Sequence, residues 1–146
     1  TPNQETDQKA IEIVHKISLS LGSIWISSEA QIHDEAVGLI SHLPVLISAS
    51  LVNTLHTNKN PAIYSLAKSI ASSGFADTSR VGGGNPTLGV SMAKFNKANL
   101  KRHLSSYRHS LDLFEKYLFE ENWNEIEKIL VKTQEERQSF ISKTTT

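Results

Sequence analysis

Leu100, Leu104, Tyr107, Leu111, Phe114 and Leu118 recur at steps of four, three, four, three and four residues, and no other feature limits the fold of this chain so strongly. That spacing is the apolar seam of an α-helix about two and a half heptads long, a surface that needs another helix against it. A strand would repeat every two residues instead. Helical signals fill the chain from Ser28 onward. Ser28 and Gln31 have capping-box spacing and open a helix that runs through the apolar stretch 36–52. Pro44 lies inside it, where the missing amide breaks the hydrogen bond back to Ile40 and predicts a kink or break. Residues 58–60 form a turn, Pro61 suits the first position of the next helix, and Gly74 is expected to end it. Residues 74–86, GFADTSRVGGGNP, are expected to be the longest irregular stretch, closed by an Asn85-Pro86 cap. Asn122 caps a last helix carrying Trp123, Ile126, Ile129, Leu130 and Phe140, before a polar tail expected to be loose.

The first thirty residues read differently. Thr6-Asp7 precedes Ala10, Ile13, Val14, Ile17 and Leu21 at helical spacing, and Gly22 is a helix stop. Residues 23–27, SIWIS, alternate and are β-branched, which predicts a strand. A single strand leaves both edges unpaired, so its neighbours are expected to lie elsewhere. The sequence thus divides into residues 1–30, the end of another domain, and residues 31–146, a mainly α helical bundle with one stray strand before it.

Several function classes are disfavoured. With 15 basic and 15 acidic residues the net charge is zero, which offers no field for nucleic acid or an anionic membrane. Cysteine is absent, so disulfides and thiolate metal sites are excluded, which suits a reducing, cytoplasmic setting. The first residues lack the apolar core of a signal peptide. The apolar stretch 36–52 is interrupted by Ser41, His42, Pro44, Ser48 and Ser50 and falls short of the roughly 20 apolar residues of a span, so a buried core helix is expected rather than a membrane segment. Six histidines occur without H-E-x-x-H or any i, i+4 pair, so no metal site is expected.

Two places carry candidate chemistry. His33-Asp34 is followed by Ser41-His42 on the same helix. Adjacent side chains diverge by about 100°, so His33 and Asp34 are not expected to pair with each other. His42 reads either as a hydrogen-bonded core histidine or as a ligand contact. Arg80 follows Asp77 and precedes Gly82, Gly83 and Gly84. A guanidinium on a short turn can grip a carboxylate with two parallel bonds, and Asp77 could hold or gate it. The alternative is a surface arginine beside a flexible connector. The glycines are no dinucleotide fingerprint, since they lack the preceding strand and the G-x-G-x-x-G spacing.

Residues 33–44, HDEAVGLISHLP, and 71–86, ASSGFADTSRVGGGNP, are similar to two blocks of the prephenate and arogenate dehydrogenases, the second in arogenate-type form. The resemblance continues through Met92 to Asn96 and the long helix to Trp123, so it covers nearly the whole chain. It implies a helical dimerisation domain like the C-terminal domain of 6-phosphogluconate dehydrogenase, preceded by the last helix and strand of a Rossmann-type domain. It implies an oxidative decarboxylation in tyrosine biosynthesis: a ring hydroxyl of arogenate or prephenate is oxidised by hydride transfer to NAD(P)+ with loss of the ring carboxylate. By this resemblance the catalytic histidine and the cofactor fingerprint belong to the other domain, and this chain alone is inactive and binds no cofactor. Arg80 matches the family arginine that binds a substrate carboxylate, Ser41 and His42 match pocket-lining residues, and Asp77 matches a residue that orients the arginine. His33 and Asp34 match a structural or interdomain pair. Many prephenate-using members carry a second histidine directly after the proline, where this chain has Val45. With the triple glycine, that departure favours arogenate as substrate and NADP as cofactor. A different class remains open on the residues alone: a stand-alone, homodimeric helical interaction module.

Overall fold

In a computed structural model the chain is described from residue 1 to residue 141, so the polar tail lies outside the described residues. Every regular element within that range is helical. α1 spans Gln8–Ser20, α2 Ala30–Val37, α3 Leu43–His56, α4 Pro61–Ile70, α5 Ser73–Ser79, α6 Pro86–Phe95, α7 Lys97–Phe119 and α8 Trp123–Ile141. A π-helical turn, Gly38–His42, joins α2 to α3, and a 3-10 turn, Arg80–Gly83, follows α5.

Local chemistry explains several helix ends. Asp7 accepts from the amide of Lys9 at 2.9 Å, Asn60 from that of Ala62 at 3.0 Å, and Asn85 from that of Thr87 at 2.9 Å. Each oxygen satisfies a donor that the first turn of a helix leaves free. α1 ends in a Schellman motif: Gly22 adopts φ 71°, Ser23 N–H reaches Ser18 O, and Gly22 N–H reaches Leu19 O, both at 3.0 Å. The Ser28 capping box does not form, because Glu29 occupies the cap position without a side-chain hydrogen bond.

Three expectations are corrected. Residues 23–27 form no strand among the described residues. A strand exists only through a ladder to a neighbour, and here Ile24 and Ile26 stand about four-fifths exposed, with Trp25 stacked beside His15 at 4.8 Å. The segment 74–86 is mostly helical rather than irregular. The break falls at Ala71 and Ser72, and Gly74 lies inside α5. Pro44 does not break its helix. The π-helical turn just before it lets Leu43 N–H reach Gly38 O, five residues back, so the ladder widens where the proline would otherwise collide with it.

By internal packing the chain divides into two units, residues 1–103 and residues 104 onward. In the first, α3 packs against the 3-10 turn, the π-helical turn and α5. Its buried residues are Gly38, Leu43, Ser48, Asn96, Leu100 and His103, so the centre is unusually polar for its size. Ile32, Leu39 and Ile40 remain more than half exposed on the helix that carries it. In the second unit no described residue is buried, and Leu111 and Leu118 of the heptad seam face solvent. A seam open at these positions is unfinished packing.

The uninterrupted helix Ala30–His56 has 27 residues and a most apolar window of mean hydropathy 1.6, which is long and apolar enough to cross a bilayer. Ser48 and His42 on this helix are instead engaged by other parts of the chain.

Candidate functional site

α3 gathers the candidate residues. Ser41 and His42 sit on the π-helical turn at its start, and the Arg80 turn is pinned to its middle. The pin is a hydrogen bond from Gly82 N–H to Ser48 Oγ at 2.8 Å. Ser48 lies six residues after His42, which is roughly 9 Å along a helix. A Cβ on Gly82 would stand 2.3 Å from Ala49 N and 2.5 Å from Ser48 C, so only glycine permits this approach. The triple glycine therefore has at least one steric role here.

Arg80 is exposed, and its guanidinium makes no ion pair with a described residue. Asp77, on the last part of α5, is exposed too and forms no salt bridge to Arg80. An unpaired, always-charged fork on a pinned turn can accept a carboxylate without first breaking a protein contact.

The π-helical turn is held from the side by α6 and α7. Asn96 Nδ2 donates to Asp34 O at 2.6 Å and lies 3.2 Å from His42 Nδ1. Asn99 Nδ2 donates to Asn96 Oδ1 at 2.7 Å. His103 Nε2 donates to Glu35 O at 3.1 Å, and Arg102 pairs with the Glu35 carboxylate at 3.3 Å. Side-chain donors thus reach main-chain carbonyls in the turn of helix just before the widened ladder. Gly38 makes room for them, since a Cβ there would come within 2.9 Å of Asn96 Nδ2 and 3.3 Å of His103. Ser41 stays exposed and His42 half-buried.

One sequence expectation about the polar groups fails. His33 Nδ1 and Asp34 Oδ1 do meet, at 3.0 Å, with both side chains more than half exposed. Their Cβ bonds diverge as helix geometry requires, but two rotatable bonds on each side chain bring the tips together in solvent. Such an exposed pair adds little to stability.

An apolar cleft of about 690 Å³ lies beside α3 and is lined by Val52, Leu55, Tyr64, Ile70 and Phe75, among others. A second cleft of about 370 Å³ runs past Val45, Val81, Asn85 and Met92. Ser41, His42, Asp77 and Arg80 line neither, so cleft shape and candidate chemistry do not coincide. Among the described residues no group of three or more His, Asp or Glu is placed to hold a metal ion. None of the described residues forms the strand, glycine turn and helix that would cradle a dinucleotide. Sequence reasoning passed over Gly38, Ser48, Asn96 and His103, whose partners are supplied only by folding.

The family model described as "Prephenate dehydrogenase, dimerization domain" matches residues 29–132. A prephenate dehydrogenase of Bacillus subtilis is 27% identical over 122 residues, which covers 84% of this chain and 32% of that protein. The crystal structure of Synechocystis arogenate dehydrogenase superposes with a TM-score of 0.89 at 38% identity, over 97% of this chain and 51% of that one. A prephenate dehydrogenase from A. aeolicus, in complex with hydroxyphenyl propionate and NAD+, superposes with a TM-score of 0.87 at 24% identity, over 96% of this chain and 48% of that one. At that identity the likeness shows the fold alone. The chain spans about a third to a half of the length of these relatives.

Proposed function

Because the chain belongs to the prephenate dehydrogenase dimerization-domain family, we propose that it is the helical half of an arogenate or prephenate dehydrogenase of tyrosine biosynthesis. What carries the reading is the family match across residues 29–132, supported by 38% identity to an arogenate dehydrogenase over nearly the whole chain. In this reading residues 1–30 belong to the nucleotide-binding domain and residues 31–146 to the helical one. Arg80 binds a substrate carboxylate, Ser41 and His42 line the same pocket, and Asp77 orients Arg80. His33 and Asp34 serve the domain boundary. The pocket closes only against the other domain, in keeping with clefts that do not coincide with these residues here. A dinucleotide, NADP in preference to NAD, would be held by residues outside this chain and would supply the hydride acceptor. Val45 and the triple glycine favour arogenate over prephenate.

The test is to join the chain to a nucleotide-binding half and follow reduction of the dinucleotide with arogenate and prephenate. The joined protein is expected to turn over, faster with arogenate, whereas the isolated 146-residue chain shows no activity. Turnover by the isolated chain would sink the division of labour.

The same reading makes the protein a homodimer. A second copy, rather than lipid, covers the exposed apolar residues of α2, α3 and the heptad seam. Light scattering at micromolar concentration is expected to give twice the 16.2 kDa chain mass without detergent. A monomeric mass, or a chain soluble only in detergent, would contradict this. A second reading is a non-catalytic homodimeric interaction module, which would use the same exposed apolar surface. It predicts that the joined protein is inactive.

A further inference from the structure

We infer that Asn96 is a positioning residue that fixes the tautomer of His42, leaving its proton on Nε2. The hydrogen bonds around Asn96 run in one direction. A main-chain carbonyl can only accept, so the Asn96 atom 2.6 Å from Asp34 O must be the amide nitrogen. That fixes the side-chain flip without reference to His42, and Asn99 Nδ2 on Asn96 Oδ1 at 2.7 Å agrees with it. The second hydrogen of the same NH2 group then faces His42 Nδ1 at 3.2 Å. Nδ1 must accept, because a proton there would confront another N–H. The imidazole proton therefore resides on Nε2, which bonds to no described residue and belongs to a half-buried ring.

The clamp is well built. Asn96 is 7% exposed, so its amide cannot easily exchange these partners for water, and Gly38 leaves the space that brings it up to Asp34 O. Every member of the chain except His42 is thereby committed. On the reading of His42 as a pocket residue, on which this step rests, the ring meets substrate as a hydrogen-bond donor from Nε2. It suits an oxygen acceptor, such as a carboxylate or a carbonyl, and would not accept a proton from a substrate hydroxyl at that atom.

Nitrogen-15 NMR of the histidine-labelled 146-residue chain tests this, at about pH 8.5, two units above the usual imidazole range. The His42 signals are assigned by their loss in His42→Gln. Wild type is expected to show a protonated Nε2 and an unprotonated Nδ1, and the opposite pattern would overturn the inference whatever any variant does. Asn96→Asp replaces the donor with an acceptor and is expected to move the proton to Nδ1. A folded Asn96→Asp chain that keeps the wild-type tautomer overturns the positioning role, and if that variant does not fold, the wild-type spectrum decides. In the joined, two-domain protein Asn96→Asp is expected to raise KM about tenfold or more while kcat changes less than about threefold. An inverted tautomer with an unchanged KM would overturn the substrate contact alone. An inactive wild-type joined protein would instead remove the dehydrogenase reading and leave the tautomer to the spectrum.

Discussion

Arg80→Ala in the joined, two-domain enzyme is expected to lower kcat/KM by roughly a hundredfold or more, equivalent to about 2.7 kcal/mol of lost transition-state stabilisation. The size follows from what the side chain does not do in this chain. Its guanidinium forms no ion pair with a described residue and adds no core packing, so its removal should leave folding almost untouched. The loss should therefore appear in kinetics, with a melting temperature within about 2 °C of wild type, since exposed substitutions seldom exceed about 0.5 kcal/mol. Arg80→Lys keeps the charge but loses the two-pronged geometry, and only partial activity should return. Steady-state kinetics with arogenate and prephenate decide the matter. Activity within threefold of wild type would remove Arg80 from the carboxylate site and leave a surface arginine on a glycine connector.

The next largest effect belongs to Gly82, and it is one of stability. Gly82→Ala would set a methyl group 2.3 Å from the Ala49 amide nitrogen and 2.7 Å from Ser48 Oγ. The nearest atoms are helix main chain, which cannot swing aside, so the turn must lift off α3. That strands Ser48 Oγ, which is buried, and breaks its bond from Gly82 N–H. Overpacking and the lost hydrogen bond together should cost about 2–4 kcal/mol, or about 5–15 °C in thermal midpoint. Gly83→Ala is the internal control, because nothing lies within 4 Å of a Cβ there and its backbone is not left-handed. Thermal melts of the two variants side by side should separate them clearly. Equal melting temperatures would mean that the turn is not held against α3 as described. Because Arg80 rides on this turn, Gly82→Ala should also weaken substrate binding in the joined enzyme.

Much of this was legible in the residues themselves. Asp7, Asn60 and Asn85 cap helices because a short side-chain oxygen next to the first turn has few better partners, and Gly22 ends α1 because its φ of 71° is costly for other residues. Such signals are local, and local signals survive reading in one dimension. The strand expected at residues 23–27 failed for the opposite reason, since alternation describes a strand only when something pairs with it. Residues 74–86 looked irregular from their glycine, serine and aspartate content, yet Ser48, 34 residues earlier, holds the end of that segment in place. Asn96 could not have been singled out, because its contacts reach 54 and 62 residues back. Its neighbour His42 was legible only as one of two alternatives. The π-helical turn did leave a signal, a glycine six residues before a mid-helix proline, and the ladder there widens instead of breaking.

That widened turn also sets a clock for the whole helix. A regular helix advances about 100° per residue, so accommodating one extra residue in a single turn rotates all that follows by about that angle against what precedes. The stripe begun by Ile32 and the stripe that carries Ser48 are therefore out of phase by design of the backbone rather than by choice of side chains. Deleting Leu39 would restore an ordinary ladder and turn the rear half of the rod by a quarter revolution or so. Ser48 would then swing away from Gly82 while His33 and Asp34 stayed where they are. The loss of one half-exposed residue would undo a contact formed nine residues further along.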